Sequence, residues 1–260
     1  MNIKAVKTTP DKYLLLNVPI DNWTFDDFVA QLEEGVVLTP NSDHLAKLQK
    51  DKAFYDSYIQ AEHLVCDSKV LILLSRFLTP KSPIKEQIAG SDLFPAYCAY
   101  HANNTETKVF LLGGSEESVS VAMNNINHKT NSNVIVGAYS PPFGFENSSE
   151  ENDKIIDKIQ ASGANVLAVG VGAPKQEKWI FANRDKLPSI RLFFAIGATI
   201  EFEAGGLSRA PRWMSNNGIE WLYRLFQEPK RMFKRYVLED TVVLWLALKQ
   251  KLGLYKNPWS

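Results

Sequence analysis

Hydrophobic and polar positions along the chain fall into short apolar runs, separated by longer stretches where apolar residues recur every three or four positions. The runs lie at 13–18, 36–39, 63–66, 108–112, 134–137, 165–170 and 192–196, and their β-branched and aromatic content predicts strands. The stretches at 25–33, 43–60, 70–78, 93–101, 116–127, 150–161 and 175–187 predict helices. Ser115 before two glutamates, and Ser148 and Ser149 before two more, read as helix starts: the hydroxyl caps free N–H groups and the acids face the positive dipole end. Strand and helix alternating in this way predict an α/β fold. Its Rossmann-like, mainly parallel sheet is covered by helices on both faces.

The pattern changes after Gly206. Residues 218–252 read as two or three amphipathic helices dense in Trp, Tyr, Phe, Lys and Arg, with Pro229 suited to a first helical turn. The apolar run 242–248 is too short to cross a bilayer, which takes ~20 residues. It either lies flat in an interface or packs on the body. Residues 206–260 hold ten Lys or Arg against four Asp or Glu, so a neutral chain hides an acidic body and a basic tail. The predicted division is therefore an α/β domain over 1–205 and a basic helical appendage over 206–260. The appendage suits an anionic partner: nucleic acid, anionic lipid or a diphosphate. Two cysteines, Cys66 and Cys98, suggest neither a disulfide framework nor a zinc cluster. The opening residues lack the apolar core of a secretion signal, which predicts a cytoplasmic protein.

Candidate chemistry concentrates at strand ends. The string VLAVGVGAPKQEKW at 166–179 is a strand that breaks on small residues and opens into a polar helix. Such turns present backbone N–H groups at the carboxyl edge of a sheet, where open α/β sheets bind ligands and anions. Asp67 follows a short apolar strand and is the first candidate for a catalytic base; the alternative is a cap on the next helix. Thr39 and Asn41, after another strand, suit either hydrogen bonding to a substrate or a turn and cap. Gly113 and Gly114 end the strongest apolar strand. They lack dinucleotide-fingerprint spacing, and read as a nucleoside pocket wall or a plain structural turn. Gly172, Ala173 and Gln176 form the anion corner, with Gln176 preferred over Lys175 and Lys178 as a donor contact. The segment YSPPFGF at 139–145 reads as an aromatic flap or an ordinary loop. The four histidines show no ligand spacing and there is no Asp-x-Asp motif, which predicts no metal and no cofactor beyond the substrate.

The string GAPKQEKW resembles the signature of the WecG/TagA/CpsF family of bacterial glycosyltransferases, which build surface polysaccharides and wall teichoic acid linkage units. Thr39-Pro40-Asn41, Cys66-Asp67-Ser68, the block AGSDL at 89–93, VFLLGG at 109–114, GATIEF at 197–202 with Arg209-Ala210-Pro211, and EWLYRL at 220–225 with Glu228-Pro229-Lys230-Arg231 follow in the family's order, over roughly residues 12–236. The resemblance implies a peripheral membrane enzyme that moves a hexose, N-acetylmannosamine or a related sugar, with inversion. The donor is a UDP-sugar and the acceptor a polyprenyl-diphosphate-linked saccharide at the inner leaflet. It places the base at Asp67 and has the appendage close over the site and contact the lipid diphosphate; Arg209, Arg212, Arg224, Arg231 and Arg235 are the candidates for that contact, the alternative being a solvated basic face, and a homo-oligomer is compatible with it. Two departures stand out. Ser68 occupies a position usually held by Gly, and Gln87 one usually held by Arg, with Lys85 nearby. The rival reading is a non-catalytic nucleotide-sugar-binding adaptor of a polysaccharide assembly complex. Nucleic-acid binding is the poorer third, since the body is acidic and no recognised motif accompanies the tail.

Overall fold

The computed structural model describes residues 9–206, 223 and 240–260. In chain order the described elements begin with the strands β1 (Lys12–Leu15) and β2 (Val18–Asp21), then α1 (Phe25–Gln31), β3 (Gly35–Leu38), α2 (Ser42–Leu48), α3 (Lys52–Gln60), β4 (His63–Leu64), α4 (Lys69–Leu78) and α5 (Gly90–Tyr100). They continue with β5 (Val109–Gly113), α6 (Glu116–Thr130), β6 (Ile135–Tyr139), α7 (Ser149–Ala161), β7 (Val166–Gly170), α8 (Lys175–Asn183), β8 (Leu192–Ala195), α9 (Thr199–Glu203) and α10 (Asp240–Lys251). Six strands make one sheet in the order β4-β3-β8-β7-β5-β6, and every pairing in it is parallel.

Period-two alternation in these strands sorts their side chains into two cores. Val36, Leu38, Phe110, Leu112, Leu167 and Val169 face a layer shared by α2, α3, α4, α7, α8 and α10. Val37, Val109, Leu111, Val166, Ala168 and Phe194 face the layer of α1, α5, α6 and α9. The chain leaves β5 through α6 on one face and returns from β6 through α7 and α8 on the other. Connections that diverge in this way open a crevice between β5 and β7 at their carboxyl ends.

Three elements differ from the sequence pattern. The run at 13–18 is the first arm of an antiparallel hairpin outside the main sheet. Leu16, at φ +55°, turns the chain and Val18–Asp21 pairs back on Lys12–Leu15. Asp21 accepts a hydrogen bond from the N–H of Leu64 at 2.9 Å, so the hairpin covers the edge strand β4. The helical stretch 43–60 is two helices, because Asp51 leaves helical geometry and its carboxylate caps α3 through the N–H of Phe54 at 3.0 Å. β4 itself is only His63–Leu64, followed by extended chain to Asp67.

The ends of β5 and β7 approach each other closely. Gly113 sits at φ +129°, and a Cβ there would lie 2.4 Å from the carbonyl oxygen of Gly170 on the neighbouring strand. Both the conformation and the contact exclude a side chain. Gly113→Ala is expected to destabilise the fold by about 3 kcal/mol, read as a lower urea midpoint at unchanged slope.

Candidate active site

β3 and β4 deliver two short segments to the carboxyl edge. The N–H of Val65 donates to Leu38 O at 3.1 Å and that of Asp67 to Pro40 O at 2.9 Å, so parallel pairing continues past both strands. Asp67 is thereby held beside Thr39-Pro40-Asn41. The N–H of Ile88 donates to Cys66 O at 2.7 Å, which brings in the segment leading to α5. At the start of α5, a Cβ on Gly90 would stand 3.3 Å from the hydroxyl of Thr39. Thr39, Asn41, Asp67 and the head of α5 thus form one corner.

The alternatives raised for these residues divide. The N-cap of α4 is Ser68, not Asp67, and Ser68 has an extended backbone at φ −160° that any residue adopts. Replacement of glycine by serine therefore leaves this turn unstrained. Asn41 does cap: its Oδ1 accepts from the N–H of His44 at 3.1 Å, opening α2. Burial pushes the Cys66 thiol up to about 12, so the group beside Asp67 is a neutral thiol and no nucleophile. Lys85 is exposed and Gln87 half-buried on the segment fixed through Ile84 and Ile88.

The second corner is the end of β7. Gly172 has φ +85°, and a Cβ there would meet nothing within 4 Å, so the turn faces open space. Gln176 does not. It is 3 % exposed, and its Oε1 accepts from the N–H of Gly172 at 3.2 Å and of Gly197 at 3.0 Å. Its Nε2 donates to Glu177 Oε1 at 2.9 Å. The Gln176 oxygen thus ties together the turns after β7 and β8. The Gly172 N–H, expected to face an anion, is occupied by the same amide. Gln176 lies on the inward stripe of α8 with Trp179, Ile180 and Asn183, a helical spacing visible in the sequence.

Glu177 was not singled out by sequence reasoning, and is 1 % exposed. Its Oε2 has no hydrogen-bond partner among the described residues. Burial raises its carboxyl to about 7, against the pull of the Gln176 hydrogen bond. Nearby, the hydroxyl of Tyr58 is 2.6 Å from His44 Nδ1. Burial pushes that phenol well above its ordinary range, and the charges of Glu177, Asp43 and Asp67 add to the shift. Three inter-strand steps separate β4 from β7, roughly 14 Å across the sheet.

The lysines of α8 are structural ties. Lys175 pairs with Glu146 at 3.0 Å and lies over the Phe143 ring at 4.6 Å, joining α8 to the loop after β6. Lys178 pairs with Asp51 at 2.6 Å, joining α8 to the start of α3. In the loop, Phe143 is almost wholly exposed while Phe145 is buried. Gly114 abuts Ser118 and Ile200 and its carbonyl accepts from Ser140 Oγ at 2.6 Å, so Gly113 and Gly114 are placed where close packing demands glycine. Ala173 precedes Pro174 at the head of α8 through a cis peptide bond.

Arg209, Arg212, Arg224, Arg231 and Arg235 lie outside the described residues. Among the described residues, no three His, Cys, Asp or Glu gather as metal ligands, and no helix is long and apolar enough to cross a membrane. A depression of about 350 Å³ opens at the opposite, amino-terminal edge between Gly35, Glu62, Arg184 and Arg191. Its charged walls partly neutralise each other through the Arg184–Glu62 pair at 3.3 Å. It lies away from the strand ends at which open α/β sheets bind ligands.

Sheet order, diverging connections and glycine-lined turns define a doubly wound, Rossmann-like α/β protein, a class whose ligand edge is at the carboxyl ends of the strands. The family model described as the glycosyl transferase WecG/TagA/CpsF family matches residues 13–257. The chain belongs to that family, and is a glycosyltransferase.

Proposed function

We propose that the enzyme transfers a hexose, N-acetylmannosamine or a close relative, from a UDP-sugar to a polyprenyl-diphosphate-linked saccharide in surface polysaccharide biosynthesis. It works with inversion and without a metal, at the inner face of the cytoplasmic membrane. The observation that carries this reading is the Asp67 N–H bond to Pro40 O, which holds a carboxylate beside Thr39 and Asn41 on the same sheet edge as the open Gly172 turn. Asp67 takes the proton of the acceptor hydroxyl as its oxygen attacks the anomeric carbon and the bond to UDP breaks. Thr39 and the amide N–H groups of Asn41 orient the sugars. The diphosphate leaves toward the β7 corner, where the head of α8 offers its positive dipole end. Gln176 acts indirectly, by holding the Gly172 and Gly197 turns together. The appendage arginines complete the site around the acceptor diphosphate through bidentate hydrogen bonds.

Incubating the protein with a panel of UDP-sugars and a synthetic lipid-diphosphate saccharide tests this directly. One donor is expected to release UDP and extend the acceptor by a hexose mass. Tight UDP-sugar binding with no transfer to any acceptor would instead establish the adaptor reading.

A further inference from the structure

The acidic body of this protein carries one segment of opposite character. Residues 69–85, which span α4 and the loop after it, contain Lys69, Arg76, Lys81 and Lys85 and no acid. Residues 241–260, which contain most of α10, carry Lys249, Lys251 and Lys256 and no acid. These two segments, far apart in sequence, pack together: α10 buries Val243 and Ala247 in the same core as Leu71 and Leu74 of α4. Each helix also turns an apolar stripe outward. On α4, Leu73 and Phe77 stand one turn apart and are 61 % and 50 % exposed. On α10, Leu244, Trp245 and Leu248 are exposed, the tryptophan by 57 %.

Lys251 ties α10 to α4 at Phe77. Lys251 Nζ donates to Phe77 O at 2.7 Å and to Leu78 O at 3.1 Å, and its ammonium lies 5.1 Å from the Phe77 ring centre. Lys249 lies 5.4 Å from the Trp245 ring centre. Apolar side chains rimmed by ammonium groups, with Asp240 at the first position of α10 the one acid on either helix, match a surface that is greasy within and anionic at its boundary. We infer that the joint face of α4 and α10 seats the protein on an anionic lipid surface. A protein partner would need carboxylates around an apolar centre; a bilayer with anionic headgroups supplies that arrangement over any area.

Placement gives the face its use, and here the inference rests on the proposed function. α4 begins two residues after Asp67, so the docking helix starts at the catalytic corner. An acceptor whose lipid tail stays in the bilayer meets Asp67 at the head of the helix that touches the membrane.

The test uses the full chain with vesicles of phosphatidylcholine alone or mixed with phosphatidylglycerol, measured by flotation. Wild type is expected to bind the mixed vesicles at least about tenfold better than the neutral ones. Leu73→Ser with Phe77→Ser should weaken that binding about tenfold, from lost apolar insertion. Arg76→Glu with Lys81→Glu should remove the preference for anionic vesicles, and decides alone if the serine variant does not fold. Wild-type flotation by both α4 variants would overturn the inference. So would a serine variant that splits a dimer in sedimentation yet still floats, which would make this a contact between copies. Transfer to a short-chain, water-soluble acceptor without vesicles separates the two readings. Variants that lose flotation should keep it, while its absence in wild type would remove the proposed reaction and leave the docking result standing.

Discussion

Asp67→Asn should lower kcat by about a thousandfold, within the range that a positioned general base contributes. Asparagine matches aspartate in shape, and the Asp67 N–H bond to Pro40 O and the extended chain through Ser68 depend only on the backbone. UDP affinity, measured by calorimetry, should therefore stay within about twofold of wild type, since the lost interaction belongs to the transition state. Turnover at the wild-type rate would remove Asp67 from the mechanism. An equal loss of UDP affinity would assign it to donor binding instead.

The second large effect concerns stability. Glu177 has a carboxyl near 7 in the folded protein against an ordinary value of 4.5, with burial the principal cause. Below 4.5 the group is protonated in both states. Between 4.5 and 7 the native protein keeps a proton that the unfolded chain releases, so rising pH favours unfolding. Above 7 the native state holds a buried charge. The contribution is thus intact in acid and lost as pH rises through 7, to a total of about 3 kcal/mol. Glu177→Gln cannot ionise, and its oxygen can still accept from Gln176. Urea unfolding of the variant should lack this decline, so that relative to wild type it gains about 2.5 kcal/mol between pH 5 and pH 8. Parallel pH profiles for the two proteins would show that Glu177 is not titrating in a buried site.

The sequence made the architecture legible because parallel strands buried on both faces are continuous apolar runs, and each of the six sheet strands coincides with one. The hairpin arm Val18–Asp21 was missed because Pro19 and Asp21 break its apolar pattern; Asp21 is buried there to bond Leu64. The break between α2 and α3 was hidden because Asp51 and Lys52 look like one more polar turn of a helix. At the site, chain order alone gathers strand ends on one edge, which is how Asp67, Thr39 and Asn41 come together. What each polar group bonds to was not legible. Gln176 reads as a ligand contact in a polar helix start, and only the meeting of the β7 and β8 turns shows what its oxygen accepts.

The same four residues explain what the most recognisable string in this chain records. Lys175 reaches the loop after β6, Gln176 the turn after β8, Glu177 the interior beneath and Lys178 the start of α3. At these four positions the string ties the carboxyl edge together, while its Gly172 turn faces open space. A variant that lost the carboxylate on the β4 corner, and with it all turnover, would still rely on these four ties to keep its shape.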